Sequence, residues 1–164
     1  MSLGLYLHIP YCFSKCRYCD FYSAPGQRGV PRAYVDALLR ELSRFAPDAP
    51  LRPDTLYFGG GTPSLLDPAD AARLIAAAQP LPGAEITLEA NPETVTEDSL
   101  RAFREAGVNR ISFGVQSARD SQLKTLGRPH TAKQARAAFA AARRAGFENL
   151  SGDIMLALPH YTQA

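Results

Sequence analysis

The chain is expected to fold as an α/β protein built on a parallel sheet, and three features of its sequence point there. Runs of strand-like apolar residues alternate with runs of helical spacing. Glycines stand where a helix should stop and a strand begin, at Gly107 and Gly146. Finally, Arg104-Glu105-Ala106-Gly107-Val108-Asn109-Arg110-Ile111-Ser112 is echoed 39 positions on (143 − 104) by Arg143-Arg144-Ala145-Gly146-Phe147-Glu148-Asn149-Leu150-Ser151. Each copy is a helix end, a glycine stop and a strand start, which is the rhythm of a β/α repeat. Such repeats either close as a barrel or open as a doubly wound sheet. In both, chemistry gathers at the carboxyl ends of the strands.

The elements follow in order. A first strand is expected over about 3–9, with Leu5, Leu7 and Ile9 on one face and Tyr6 and His8 on the other. In a barrel with outer helices, the leucine face would turn outward and Tyr6 inward, near the mouth. A helix over about 31–45 carries Tyr34, Val35, Leu38, Leu42 and Phe45 at helical spacing. The second strand, 54–58, ends in Gly59-Gly60-Gly61, and Asp67-Pro68 opens the next helix as N-cap and first-turn proline. A third strand covers 85–90, and Thr96 caps a helix that stops at Gly107. The fourth strand covers 110–115, and 117–126 reads as a short helix. Thr131-x-x-Gln134 is a capping box for a helix ending at Gly146, before a fifth strand over 149–157.

Composition narrows the function. With 164 residues the chain is sized for one domain with a real core. Its 18 basic and 16 acidic residues form no basic block, so no nucleic-acid partner is expected. The apolar runs are short and broken by charge, which argues against a membrane span, and the N-terminus lacks the pattern of a signal peptide. The 3 cysteines fall within eight residues, a poor disulfide framework; reduced, metal-binding thiols in the cytoplasm fit better.

Those cysteines, Cys12, Cys16 and Cys19, form C-x3-C-x2-C just after the first strand. Three thiolates on short loop segments can wrap one four-iron, four-sulfur cluster and leave one iron open, with Lys15 and Arg17 offsetting negative charge. The competing explanation is zinc, completed by His8 or Asp20, but no matching ligand pair follows later in the chain. The three glycines after the second strand would let a ligand approach the backbone. They are not a phosphate loop, because no lysine follows and Pro63 blocks an immediate helix. Glu89 and Gln116 stand at strand ends, where a polar residue is usually just solvated. Arg128 could satisfy carbonyls at a helix end. Asp153, beside Ile154-Met155-Leu156, would need a partner if buried. His130 and His160 read as surface histidines.

Taken in order, Tyr-x-His-Ile-Pro, C-x3-C-x2-C, Gly-Gly-Gly-Thr-Pro, Glu-x-Asn-Pro, Gly-Val-Gln and Asp-Ile resemble the radical S-adenosylmethionine (SAM) superfamily. Within it they are similar to the branch holding oxygen-independent coproporphyrinogen III oxidase and the heme chaperone HemW. The resemblance covers about 3–162. It implies a partial (β/α)6-type barrel of about five parallel strands with outer helices, the sixth strand missing. It also implies that Cys12, Cys16 and Cys19 ligate a [4Fe-4S] cluster whose fourth iron is chelated by SAM. Tyr18 then matches an aromatic near the adenine, and Tyr6 a residue lining the pocket. Gly60, Gly61 and Thr62 match the backbone that meets the methionine end of SAM. Glu89, Gln116, Arg128 and Asp153 match polar positions around it. The implied chemistry is the cofactor's: one electron passes to the sulfonium, giving methionine and a 5′-deoxyadenosyl radical that abstracts hydrogen from a substrate.

Two departures refine this. The branch's oxidases carry a fourth cysteine two positions after the third, where this chain has Phe21. The Cys19-Asp20-Phe21 continuation resembles the chaperone, so coproporphyrinogen oxidase activity is disfavoured. The implied partners are heme or a porphyrin-type ligand and an electron donor. Family members also continue through a sixth strand and a C-terminal domain. Residues 1–164 are therefore expected to be an incomplete radical SAM core domain, with open sheet edges that favour association. Ala157 stands where the family usually has glycine.

Overall fold

The computed structural model describes residues 2–45 and 50–158. Its elements run β1 (Gly4–Ile9), α1 (Arg32–Phe45), β2 (Thr55–Gly60), α2 (Pro68–Ala78), β3 (Glu85–Ala90), α3 (Glu97–Glu105), β4 (Arg110–Gln116), α4 (Asp120–Leu126), α5 (Ala132–Arg144) and β5 (Asn149–Ile154). Single 3₁₀ turns follow β2 at Pro63–Leu65 and β3 at Pro92–Thr94. The five strands form one sheet in the order β1-β2-β3-β4-β5, every pair parallel. This is the expected partial barrel.

Register explains the two faces. Leu7 pairs with Phe58, Phe58 with Leu88, Leu88 with Ile111 and Ile111 with Leu150. Because side chains alternate along each strand, these form one apolar face. Phe58, Leu88 and Ile111 are fully buried there, under Val35 and Leu42 of α1, Leu74 of α2, Leu100 and Phe103 of α3 and Ala142 of α5. The opposite face carries Tyr6 beside Tyr57, Thr87 beside Arg110 and Ser112 beside Ser151. The predicted outward turn of the leucine face is what is found, and Tyr6 lies on the inner face.

Local chemistry fixes the helix starts. The Asp67 carboxylate accepts from the Ala69 amide at 2.8 Å, and capping boxes join Thr96 to Ser99 and Thr131 to Gln134. Arg73 bridges α1 and α2 by bonding Asp36 and Asp70, each at 2.7 Å. No helix among the described residues is long and apolar enough to cross a membrane.

Three expectations need correction. The second strand continues through Gly59 and Gly60, which stay in register with His8 and Ile9. The short helix begins at Asp120 rather than 117, because the Ser117 hydroxyl is engaged with Gln122 and accepts from the Arg119 amide. The fifth strand stops at Ile154, beyond which Ala157 holds a φ of 55°. His160 lies outside the described residues.

Candidate functional site

The site is assembled at the carboxyl ends of all five strands. The loop after β1 is tied at its base: Cys12 N–H donates to the Ala24 carbonyl, and Gln27 N–H donates to the Cys12 carbonyl, both at 3.0 Å. Its far side is fastened to α4 by the Arg17 amide, 3.1 Å from the Leu126 carbonyl. Cys12 is buried, while Cys16 and Cys19 are half-buried. All three sulfur-bearing residues line a cavity of about 310 Å³.

The β2 end meets the cysteine loop at van der Waals limits. A side-chain carbon placed on Gly61 would lie 2.7 Å from the Tyr11 carbonyl oxygen and 2.9 Å from the Cys12 sulfur. Gly60, at φ 118°, likewise leaves room for the His8 ring. The room these glycines make is thus filled, at least in part, by the protein's own groups. Thr62 is buried. Its hydroxyl donates to the Cys12 sulfur at 3.6 Å and accepts from the Asn91 amide at 3.1 Å.

On β3, Glu89 uses both carboxylate oxygens. One accepts from the Tyr57 hydroxyl at 2.7 Å and the other from the Gly60 amide at 3.1 Å. Burial, followed by that hydrogen bond to Glu89, pushes the Tyr57 hydroxyl well above its ordinary value. Gln116 closes β4 at a bulge and holds a φ of 65°. Asp153 is an exposed residue of β5, so the expected need for a buried partner does not arise.

Arg128 is the hub. Its guanidinium donates to the Cys16 sulfur at 3.3 Å, to Asn91 Oδ1 at 2.6 Å and to the Gly114 carbonyl at 2.7 Å. The guanidinium serves the sheet and the cysteine loop rather than the last carbonyls of α4, one of which, that of Leu123, takes the Arg128 backbone amide at 2.9 Å. Burial works against its charge, but the Cys16 sulfur, Tyr18 and Glu93 outweigh that and hold the guanidinium above its ordinary value. Its Nε is buried and finds no acceptor in the chain among the described residues. Burial pushes the Tyr18 hydroxyl up to about 12, with Arg128 opposing and the Cys16 and Cys19 sulfurs adding to the shift.

The cavity therefore gathers Cys12, Cys16, Cys19, Tyr18, Gly60, Gly61, Thr62, Glu89, Gln116, Arg128 and Asp153. Tyr6 stands apart from that lining, half-exposed and stacked on Tyr57 with ring centres 6.0 Å apart. His130 is the clearest correction: it is 2 % exposed, with Nδ1 3.2 Å from Glu93 Oε2 and Nε2 3.1 Å from the Val115 carbonyl. Its place just before a helix cap reads as loop surface, but that loop is wedged between two strand ends. Asn91 is a further site residue, bonded to both Thr62 and Arg128. The only local signal is Asn-Pro after a strand, which marks a turn rather than a partner for Arg128.

Among the described residues, no three His, Cys, Asp or Glu side chains converge so as to hold a single metal ion. The thiols instead ring a cavity, and a cubane cluster takes one thiolate on each of three irons. The basic Lys15 and Arg128 and the acidic Glu89 and Asp153 all line the cavity and suit a ligand carrying both signs of charge. The residues fit a cluster and SAM.

Comparison with known proteins is consistent with this. The chain is 45% identical over 163 residues to the heme chaperone HemW of Escherichia coli (strain K12), spanning 96% of this chain and 43% of that protein. It is 41% identical over 166 residues to radical S-adenosyl methionine domain-containing protein 1, mitochondrial, of Bos taurus, spanning 95% and 36%. The chain thus spans less than half the length of these relatives. Among solved structures, coproporphyrinogen III oxidase (HemN) from Escherichia coli superposes with a TM-score of 0.87 at 32% identity, covering 98% of this chain and 38% of that one. The radical SAM superfamily model matches residues 6–164, and this chain belongs to that superfamily.

Proposed function

We propose that this chain holds a [4Fe-4S] cluster on Cys12, Cys16 and Cys19 and SAM in the adjoining cavity, as the radical SAM core domain, residues 1–164, of a HemW-like heme chaperone. That protein would act in heme delivery in the cytoplasm, with heme and an electron donor as partners. The observation that carries the site is the single cavity shared by the three cysteines with Gly60, Gly61, Thr62, Glu89, Gln116, Arg128 and Asp153. What favours the chaperone is Phe21 in place of a fourth cysteine, together with relatives named for heme chaperone activity.

When bound, the cluster and SAM supply one-electron cleavage of the sulfonium and a carbon radical. The chain's own part is to bind and orient. Arg128 neutralises charge beside Cys16 and holds the β3 and β4 ends together. Thr62 steadies Cys12. Glu89 fixes the β2 amide ladder where the ligand's methionine end would lie. Tyr18, which lines the cavity, would offer an aromatic wall to the adenine.

The test is anaerobic reconstitution of the full-length protein with iron and sulfide, then electron paramagnetic resonance of the reduced form with and without SAM. A cluster signal that shifts with SAM, lost in Cys12→Ser, Cys16→Ser and Cys19→Ser, is expected. Colourless protein with stoichiometric zinc would overturn it. Retention of heme from solution by the same protein tests the chaperone role. The likeness to HemN favours a second possibility, oxidative decarboxylation of coproporphyrinogen III propionates, which an anaerobic assay for vinyl-bearing product decides.

A further inference from the structure

Two basic side chains cross the same gap. Arg128 joins Asn91, on the segment after β3, to the Gly114 carbonyl in β4. His130, two residues further on, joins Glu93, two residues past Asn91, to the Val115 carbonyl. The two bridges are stacked: Arg128 faces the cavity, whereas the His130 side chain is fully shut off from solvent. A ligand that engages the Arg128 guanidinium can draw it from its protein partners. Nothing entering the cavity reaches His130.

The hydrogen-bond chemistry of the inner bridge is constrained. The Val115 carbonyl can only accept, so Nε2 of His130 carries a hydrogen. The Nδ1 lone pair and a Glu93 carboxylate oxygen 3.2 Å away are both acceptors, so a hydrogen lies between them. Each ring nitrogen therefore has a partner. Val115 immediately precedes Gln116, whose left-handed backbone sits at the bulge and whose side chain lines the cavity.

We infer that His130 is a positioning residue for the cavity: by bridging Glu93 and Val115 it fixes the β4 bulge that aims Gln116 and keeps the β3 and β4 ends together while Arg128 serves the ligand. Its effect on SAM rests on the site proposed above. Its effect on the backbone does not.

The experiment uses full-length, cluster-loaded protein as parent, His130→Ala, Glu93→Ala and Glu93→Gln. SAM affinity is measured by titrating the reduced-cluster resonance signal, and backbone amide exchange over 91–94 and 114–117 is measured without SAM. His130→Ala and Glu93→Ala should weaken SAM by on the order of tenfold, as loss of outer-shell partners does elsewhere. Exchange should quicken in those two segments alone. Glu93→Gln keeps a hydrogen-bonding partner for Nδ1 and should restore both readouts. Parent-like affinity and exchange in both alanine variants overturns the inference, as does a glutamine variant no better than alanine. Should His130→Ala not fold, the two Glu93 variants decide. Should the parent take no SAM, the site assignment falls, and the exchange data alone decide the bridge.

Discussion

The Arg128 guanidinium and the Cys16 sulfur, 112 positions apart in sequence, lie 3.3 Å from each other at the wall of the cavity. A charge-assisted N–H to sulfur bond stabilises the more electron-rich state of a thiolate-held cluster. Arg128→Met should therefore lower the reduction potential of the cluster by roughly 60 mV, the one-electron equivalent of about 1.4 kcal/mol of hydrogen bonding. Potentiometric titration followed by electron paramagnetic resonance checks this. An unchanged potential would mean the contact is not kept once the cluster is bound.

Gly61 has no space for a side chain. Gly61→Ala sets a carbon 2.7 Å from the Tyr11 carbonyl oxygen and 2.9 Å from the Cys12 sulfur, both on a backbone-pinned loop. The expected loss is about 1–3 kcal/mol, the usual cost of overpacking. Displacement of Cys12 should also lower iron content per chain. Chemical denaturation and iron analysis give the two numbers.

Ala157 carries a left-handed backbone, φ 55°, at the position where the resembled family usually has glycine. An L residue there costs roughly 1–2 kcal/mol, and glycine returns about 0.5–1 of that as unfolded-state entropy. Ala157→Gly should thus stabilise by roughly 0.5–1 kcal/mol. A lower melting midpoint in the variant would contradict the assignment of strain.

Glu97 joins α3 to α5 through Arg144 at 2.7 Å, and that hydrogen bond holds its carboxyl below the ordinary 4.5. A depressed carboxylate adds stability that is present above its unfolded value and lost as pH falls through the folded one. The gap in melting midpoint between parent and Glu97→Gln should be seen at pH 7, shrink below 4.5 and close once the folded carboxylate is protonated. Because the pair is exposed, added salt should narrow it as well. A gap independent of pH would assign the effect to packing.

Much of the fold is legible in sequence because local chemistry and tertiary need coincide. Asp67-Pro68, the Thr96 cap, the Thr131-x-x-Gln134 capping box and the glycine stops mark helix ends that the structure keeps within a residue or two. The β1 alternation gives the correct faces, since a parallel strand under helices has only one way to hide Leu7 and Ile9. What escapes sequence is decided at a distance. Nothing near His130 announces that Glu93 and Val115 will close over it. Asn91 looks like a turn former until Thr62 and Arg128 meet on it. Gly59 and Gly60 read as a loop, but register with β1 keeps them in the strand. The cysteine spacing was the exception, since all its members share one short segment.

The sheet is wound strictly in chain order, and the cavity draws a residue from the end of every strand, from Cys12 after β1 to Asp153 in β5. Among the described residues the ladder bonds of each strand run only to its sheet neighbours, so pairing along the sheet is relayed link by link. A ligand spanning the mouth joins the first link to the last. Its binding energy is then shared by the whole series rather than by one pair, and fraying of any strand should release it. Occupancy of the cavity would thus report that all five of these strands have docked.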